Sequence, residues 1–85
     1  MPETKVGVIT HYFGRIGVAV LKAINAPLAV GDTIRIKGQH TDFTQVVESM
    51  QIEHQAITRL ESGGEAGLKV NEKVHENDEV FKITP

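Results

Sequence analysis

The segment Thr33-Ile34-Arg35-Ile36-Lys37 alternates apolar and polar side chains without interruption. A period of two places Ile34 and Ile36 on one face of an extended chain and Arg35 and Lys37 on the other, which is the pattern of a half-buried β-strand. Other strand-like segments, one of them an apolar run, recur at roughly ten-residue spacing along the chain. They are Lys5–His11 (KVGVITH), Gly17–Leu21 (GVAVL), Ala66–Val70 (AGLKV) and Glu79–Ile83 (EVFKI). In the first, the alternation predicts Val6, Val8 and Thr10 on one face and Gly7, Ile9 and His11 on the other.

Turn chemistry separates these segments. Asn25-Ala26-Pro27 and Ser62-Gly63-Gly64 are corners, because proline removes a ladder donor and paired glycines favour tight connections. Two further corners echo each other: Gly31-Asp32 precedes TIRIK, and Asn77-Asp78 precedes EVFKI. Each places a residue tolerant of positive φ before an aspartate able to accept from nearby backbone N–H groups.

Between Phe43 and Leu60 the periodicity supports two interpretations. Phe43, Val46, Val47, Met50, His54 and Ile57 fall near helical spacing, whereas Val46, Met50 and Ile52 share one strand parity. The β-branched content favours a strand over Thr44–Glu53, with a helix as the alternative.

With 85 residues, the chain has room for one domain. The expected organisation is a tail over residues 1–4 and one domain over 5–85. A chain this short buries only about 60 to 65% of its unfolded surface, so the core must be compact. There is no cysteine to supplement it. Short strands, glycine-rich corners and little helix predict an all-β fold, a small closed antiparallel barrel of six to seven strands, because closure removes exposed edges.

Nine basic and eleven acidic side chains are interspersed, for a net charge of -2. Nucleic-acid binders rely on phosphate neutralisation, so such a role would need a local basic face. No apolar run approaches the roughly 20 residues of a membrane helix, and no charged-then-apolar leader opens the chain. A soluble, cytoplasmic domain is the expectation.

Catalytic chemistry is poorly provided for. The only serines are Ser49 and Ser62, and neither sits in a nucleophile elbow. The glycine-rich GGEAGLKV lacks the lysine and hydroxyl placement of a phosphate-binding loop, so GTP binding is not expected. His11, His40, His54 and His75 stand at no metal-ligand spacing and are expected to face solvent. These features predict a non-catalytic chain without metal or cofactor.

The candidate contact residues form two groups. His11-Tyr12-Phe13-Gly14-Arg15 sets two rings beside an arginine. Strand parity forbids both rings from entering one core, so one is expected to anchor the domain and the other to be partly exposed and free to stack on a partner. Arg35 and Lys37 lie about 7 Å apart on one face. They are either a phosphate-binding pair or the solvated side of an amphipathic strand, with Glu48 or Glu53 as cross-strand partners.

The succession GRIGVAVLKA, LAVGDTIRIKG, VESMQIEH, GGEAGLKV and ENDEVFKI resembles domain two of the translational GTPases over roughly Lys5 to Ile83. The chain also resembles stand-alone translation elongation factor-like proteins and the barrel at the C-terminus of some collagenase-like peptidases. The family loop carries Gly-Arg-Gly where this chain has Gly14-Arg15-Ile16-Gly17, and it usually has glycine at the position of Asn77. The first resemblance implies a barrel of the domain-two type, an adaptor binding RNA or a ribonucleoprotein in translation. The last implies a protein-interaction barrel docking to a partner enzyme.

Overall fold

The computed structural model describes residues 2–84. Met1, the first residue of the expected tail, and Pro85, the last of the expected domain, lie outside the described residues. The described chain is all-β, with ten short strands: β1 (Glu3–Phe13), β2 (Val18–Ala23), β3 (Leu28–Ala29), β4 (Thr33–Lys37), β5 (Asp42–Val46), β6 (Met50–Ile52), β7 (Gln55–Ile57), β8 (Arg59–Leu60), β9 (Glu65–Lys69) and β10 (Glu79–Ile83). Eight form one antiparallel sheet in the order β5-β4-β10-β1-β2-β9-β6-β7, while β3 and β8 pair separately. The strand count exceeds the expected six to seven because β3, β7 and β8 are too short to show a period. Glu3 and Thr4 pair with Ile83 and Lys82, so they are ladder residues rather than tail.

The sheet curls around one apolar core. Ile34 and Ile36 of β4 and Leu68 of β9 point into it, as their alternation predicts, and Ala19 and Leu21 of β2 and Val80 of β10 join them there. On β1 the strict alternation fails. Val6 and Ile9 are both fully buried, although they have opposite parity. Two register shifts explain this, one against β10 between Lys5 and Gly7 and one against β2 between Ile9 and His11. Each bulge resets which face the next side chains take.

The Thr44–Glu53 segment is extended, not helical, but it is not one strand. It breaks after Val46 and resumes at Met50. Up to the break the expected parity is inverted, with Gln45 and Val47 buried and Val46 exposed; beyond it Met50 is buried as expected, while Ile52 is exposed.

Edges β5 and β7 share no ladder among the described residues. The gap on the β5 side is spanned by a side chain instead. Gln45 Nε2 donates to the Lys69 carbonyl at 2.9 Å, and its Oε1 accepts from Asn71 N at 2.8 Å. On its other side Val47 continues the β4–β5 pairing, donating to Asp32 O and accepting from Gly31 N.

The two echoing corners are alike in detail. Asp32 N donates to Ala29 O and Asp78 N to His75 O, each at 3.1 Å. In return Ala29 N donates to Asp32 Oδ2 at 2.9 Å and His75 N to Asp78 Oδ2 at 2.8 Å. Gly31 has φ 99° and Asn77 φ 72°, so both corners use the left-handed region.

Candidate functional site

The β1–β2 hairpin carries the first group of expected contact residues. Its loop is closed by bonds from Ile16 N and Gly17 N to Phe13 O. Tyr12 turns inward and packs against the core, while Phe13 remains 46% exposed. The His11 ring lies 4.4 Å from that of Phe13, and His11 Nδ1 is 3.6 Å from Glu76 Oε1. Arg15 is exposed at the hairpin tip, next to Ile16, which is 67% exposed.

Arg35 and Lys37 belong to a different region. Arg35 lies in register with Phe81, which is in register with Lys5, eight residues before Phe13 on β1. That offset amounts to roughly 25 Å of extended strand, so the two groups do not form one site. Arg35 is also fully engaged. Its Nε and Nη2 each meet a carboxylate oxygen of Asp42 at 2.8 Å, and its Nη1 reaches Glu3 Oε2 at 3.2 Å. The partners are therefore Asp42 and Glu3, not Glu48 or Glu53. Asp42 opposes Lys37 and is the diagonal neighbour of Arg35, the reach that cross-strand geometry allows. The hydrogen bond from Arg35, reinforced by charge, holds the Asp42 carboxyl below its ordinary range. Lys37 lies between Asp42 and Glu79 in register. This face is charge-balanced and offers no free basic pair to phosphate.

The outer surface of β2, β9 and β6 carries an apolar depression beside the hairpin. Registered pairs align Val20, Gly67 and Gln51 across the three strands. Gly67 has no side chain, so the sheet sinks there. A Cβ at Gly67 would stand 3.3 Å from Val18 and 3.6 Å from Gln51. The resulting concavity has a volume of about 360 Å³ and is bounded by Phe13, Ile16, Val18, Val20, Gln51 and His54. Of these, only Phe13 belongs to the expected contact residues. The alternation in AGLKV already set Gly67 on an outward position, whereas GVAVL, apolar throughout, gave no face to Val18 and Val20. That the three lie side by side follows only from the sheet order.

A polar corner occupies the other loop cluster. His75 Nδ1 lies 3.0 Å from Thr41 Oγ1 and 3.8 Å from Asp78 Oδ2, and the His40 and His75 rings are 6.0 Å apart. The histidines are thus less scattered than their spacing predicts. A nucleophile–base relay needs the hydroxyl and the carboxylate on opposite imidazole nitrogens. Here both approach Nδ1, and Asp78 Oδ2 is already engaged by His75 N. The arrangement braces the corner. Among the described residues no three histidine or carboxylate side chains converge with the geometry of a metal site. No helix of the described chain is long and apolar enough to cross a membrane.

No protein-family model matches the chain. In sequence it is 33% identical, over 82 residues and 95% of its length, to an uncharacterized protease of Methanocaldococcus jannaschii. It is equally 33% identical over 82 residues to a collagenase of Porphyromonas gingivalis. The matching stretch covers 20% of the first and 23% of the second, so the chain spans about a fifth of the length of these curated relatives. In structure it is similar to the C-terminal domain of a Geobacillus thermoleovorans protein described as a U32 peptidase. The TM-score is 0.85 at 20% identity, over 93% of this chain and 91% of that one. The selenomethionine form of the same domain gives 0.83 at 19% identity.

These comparisons overturn the primary resemblance to domain two of the translational GTPases, and with it the RNA-binding, translational reading. The relatives in sequence are a protease and a collagenase, and the structural neighbours are a peptidase's C-terminal domain. The physical reason for the misdirection lies in the motifs. Gly-Asp and Asn-Asp corners and a glycine-bearing hairpin answer backbone requirements that any small antiparallel barrel must meet.

Proposed function

We propose that this chain is a non-catalytic accessory domain that docks onto a peptidase-type protein, as the secondary resemblance implied. The observation that carries this reading is the coverage: 95% of the chain aligns with only 20% of the protease relative. In that relative the matching stretch is joined to a remainder about four times its size. The internal chemistry agrees. The chain has no cysteine, and Thr41 and Asp78 both approach one nitrogen of His75, which does not arrange these three as a nucleophile activated by a base.

The test has two arms. The purified chain is assayed for hydrolysis of gelatin and casein, with no turnover expected. It is then mixed with a collagenase-type peptidase from the same organism, and a stoichiometric complex is expected by sedimentation velocity. Hydrolysis by the chain alone that vanishes with His75→Ala, or a failure to form any complex, would defeat the proposal.

A further inference from the structure

The apolar depression at Gly67 is the middle of a longer trough. It continues past Ser49 and Lys69 in one direction and past Ile52, Glu53 and Glu65 in the other. Gly67 and Gln51 line all three sections, so the trough follows β9 between β2 and β6. Along its floor the outward positions read Glu65, Gly67, Lys69. The two charges stand about 13 Å apart, four strand residues, with the hollow midway between them.

Three features set this trough apart from an ordinary solvated sheet face. Its hairpin rim holds Phe13 and Ile16, 46% and 67% exposed, an apolar patch that only the His11 ring adjoins on the Phe13 side. Its end charges also make no close ion pair: Glu53, Glu65 and Lys69 form no salt bridge among the described residues, unlike Arg35, Lys5 and Arg59, although Lys22 stands in register with Glu65 on β2. Finally, Glu53 and His54 at the rim sit at φ 51° and 65°. A two-residue hairpin turn of this kind favours Asn-Gly, and side chains held there at a conformational cost are found where contact is made.

From this complementarity we infer that the trough binds an extended segment of a protein partner in which a basic, an apolar and an acidic residue alternate. The basic side chain meets Glu53 and Glu65, the apolar one fills the hollow over Gly67 against Val18 and Val20, and the acidic one meets Lys69. Every second residue of an extended chain points the same way, so the three contacts fall at i, i+2 and i+4 of the partner. This rests on the docking reading above and adds its surface and the chemistry recognised.

The probe is an N-acetylated, C-amidated, fluorescently labelled peptide, Ser-Lys-Thr-Leu-Thr-Glu-Ser, titrated against the full chain by anisotropy. The reversed sequence is run in parallel, because a strand can enter from either end. Binding by at least one is expected, about tenfold weaker when its leucine is replaced by alanine. Gly67→Val fills the hollow and should weaken binding to a similar degree. Because Gly67→Val bears on the fold, Ile16→Ser at the exposed hairpin tip provides a second, fold-neutral loss. Lys69→Glu should weaken binding by about fivefold, the scale of one exposed ion pair, and a peptide with lysine in place of glutamate should restore it. No binding up to about 1 mM, or binding indifferent to Gly67→Val and Ile16→Ser, overturns the inference. So does a concentration-dependent dimer that Gly67→Val dissolves, which would place a second copy in the trough. A peptidase complex that forms equally well with Gly67→Val would defeat the trough alone. The absence of any complex with the unaltered chain would defeat the docking reading, whatever the peptide does.

Discussion

Gln45 and Lys69 lie 24 residues apart in sequence and meet where the curled sheet would otherwise gape, Gln45 Nε2 donating to the Lys69 carbonyl at 2.9 Å. The same amide accepts from Asn71 N, so one buried side chain, 7% exposed, satisfies a backbone acceptor and a backbone donor. Gln45→Leu removes both bonds and leaves those groups unpaired. The expected cost is about 1–3 kcal/mol, read as a lowered urea midpoint with an unchanged denaturant slope. A change under about 0.5 kcal/mol would show that the sheet closes without this amide.

The paired corners allow a controlled comparison. Asp78 is 4% exposed and Asp32 half-buried, yet both accept from the N–H three residues earlier. Asp78→Ala should cost about 1–3 kcal/mol and Asp32→Ala less, because water can replace a partner at a half-open corner. Thermal melts of the two variants rank them directly. Equal losses would mean that burial does not set the strength of the corner.

Asn77 tests the backbone at the same corner. At φ 72°, Asn77→Gly should leave stability within about 0.5 kcal/mol of the parent, while Asn77→Val should cost about 1–2 kcal/mol through clash in the left-handed region. Chemical denaturation of the pair decides this. A tolerated valine would mean that the corner relaxes out of that region.

At Gly7 the constraint is proximity. An added Cβ there would run into the Lys22 carbonyl, a backbone atom of the neighbouring strand that cannot swing aside. Gly7→Ala should therefore destabilise by more than about 2 kcal/mol and disturb amide resonances on both β1 and β2. Wild-type stability in this variant would show that the bulge can open at little cost.

The Arg35–Asp42 pair sets an acid dependence. Folding lowers the Asp42 carboxyl below its ordinary value, chiefly through the hydrogen bond from Arg35. A carboxyl depressed in this way stabilises the native state above its unfolded value, and the contribution is lost as pH falls through the depressed one. The window lies below about pH 4. Asp42→Asn should reduce stability near neutrality and flatten the decline below that pH. Urea midpoints measured across the acid range provide the check. Parallel acid limbs for parent and variant would remove Asp42 from the account.

How much of this was legible beforehand differs from strand to strand. Residues 33–37 were readable to the residue, because neither end is bulged and one face is wholly apolar. That one ring of the hairpin would enter the core and the other stay out followed from parity, but that Tyr12 is the inward one did not, because the bulge between Ile9 and His11 resets the faces just before it. Gln45 was missed because a polar residue on a strand reads as solvent-facing unless its partners are known, and these lie 24 and 26 residues away. Gly67 was legible as an outward position but not as the floor of a trough, since the trough is formed by neighbours on β2 and β6.

The sequence by itself determined the class of fold, the corners and the inward faces of residues 33–37 and 66–70, because alternation and turn chemistry act over a few neighbouring residues. Only the tertiary structure decided which charges are spent and which are free. Arg35 is held by Asp42 and Glu3, while Lys69, two residues from Gly67 on β9, makes no salt bridge among the described residues. Charge neutralisation depends on distances across strands, and those are set by register and sheet order rather than by spacing along the chain.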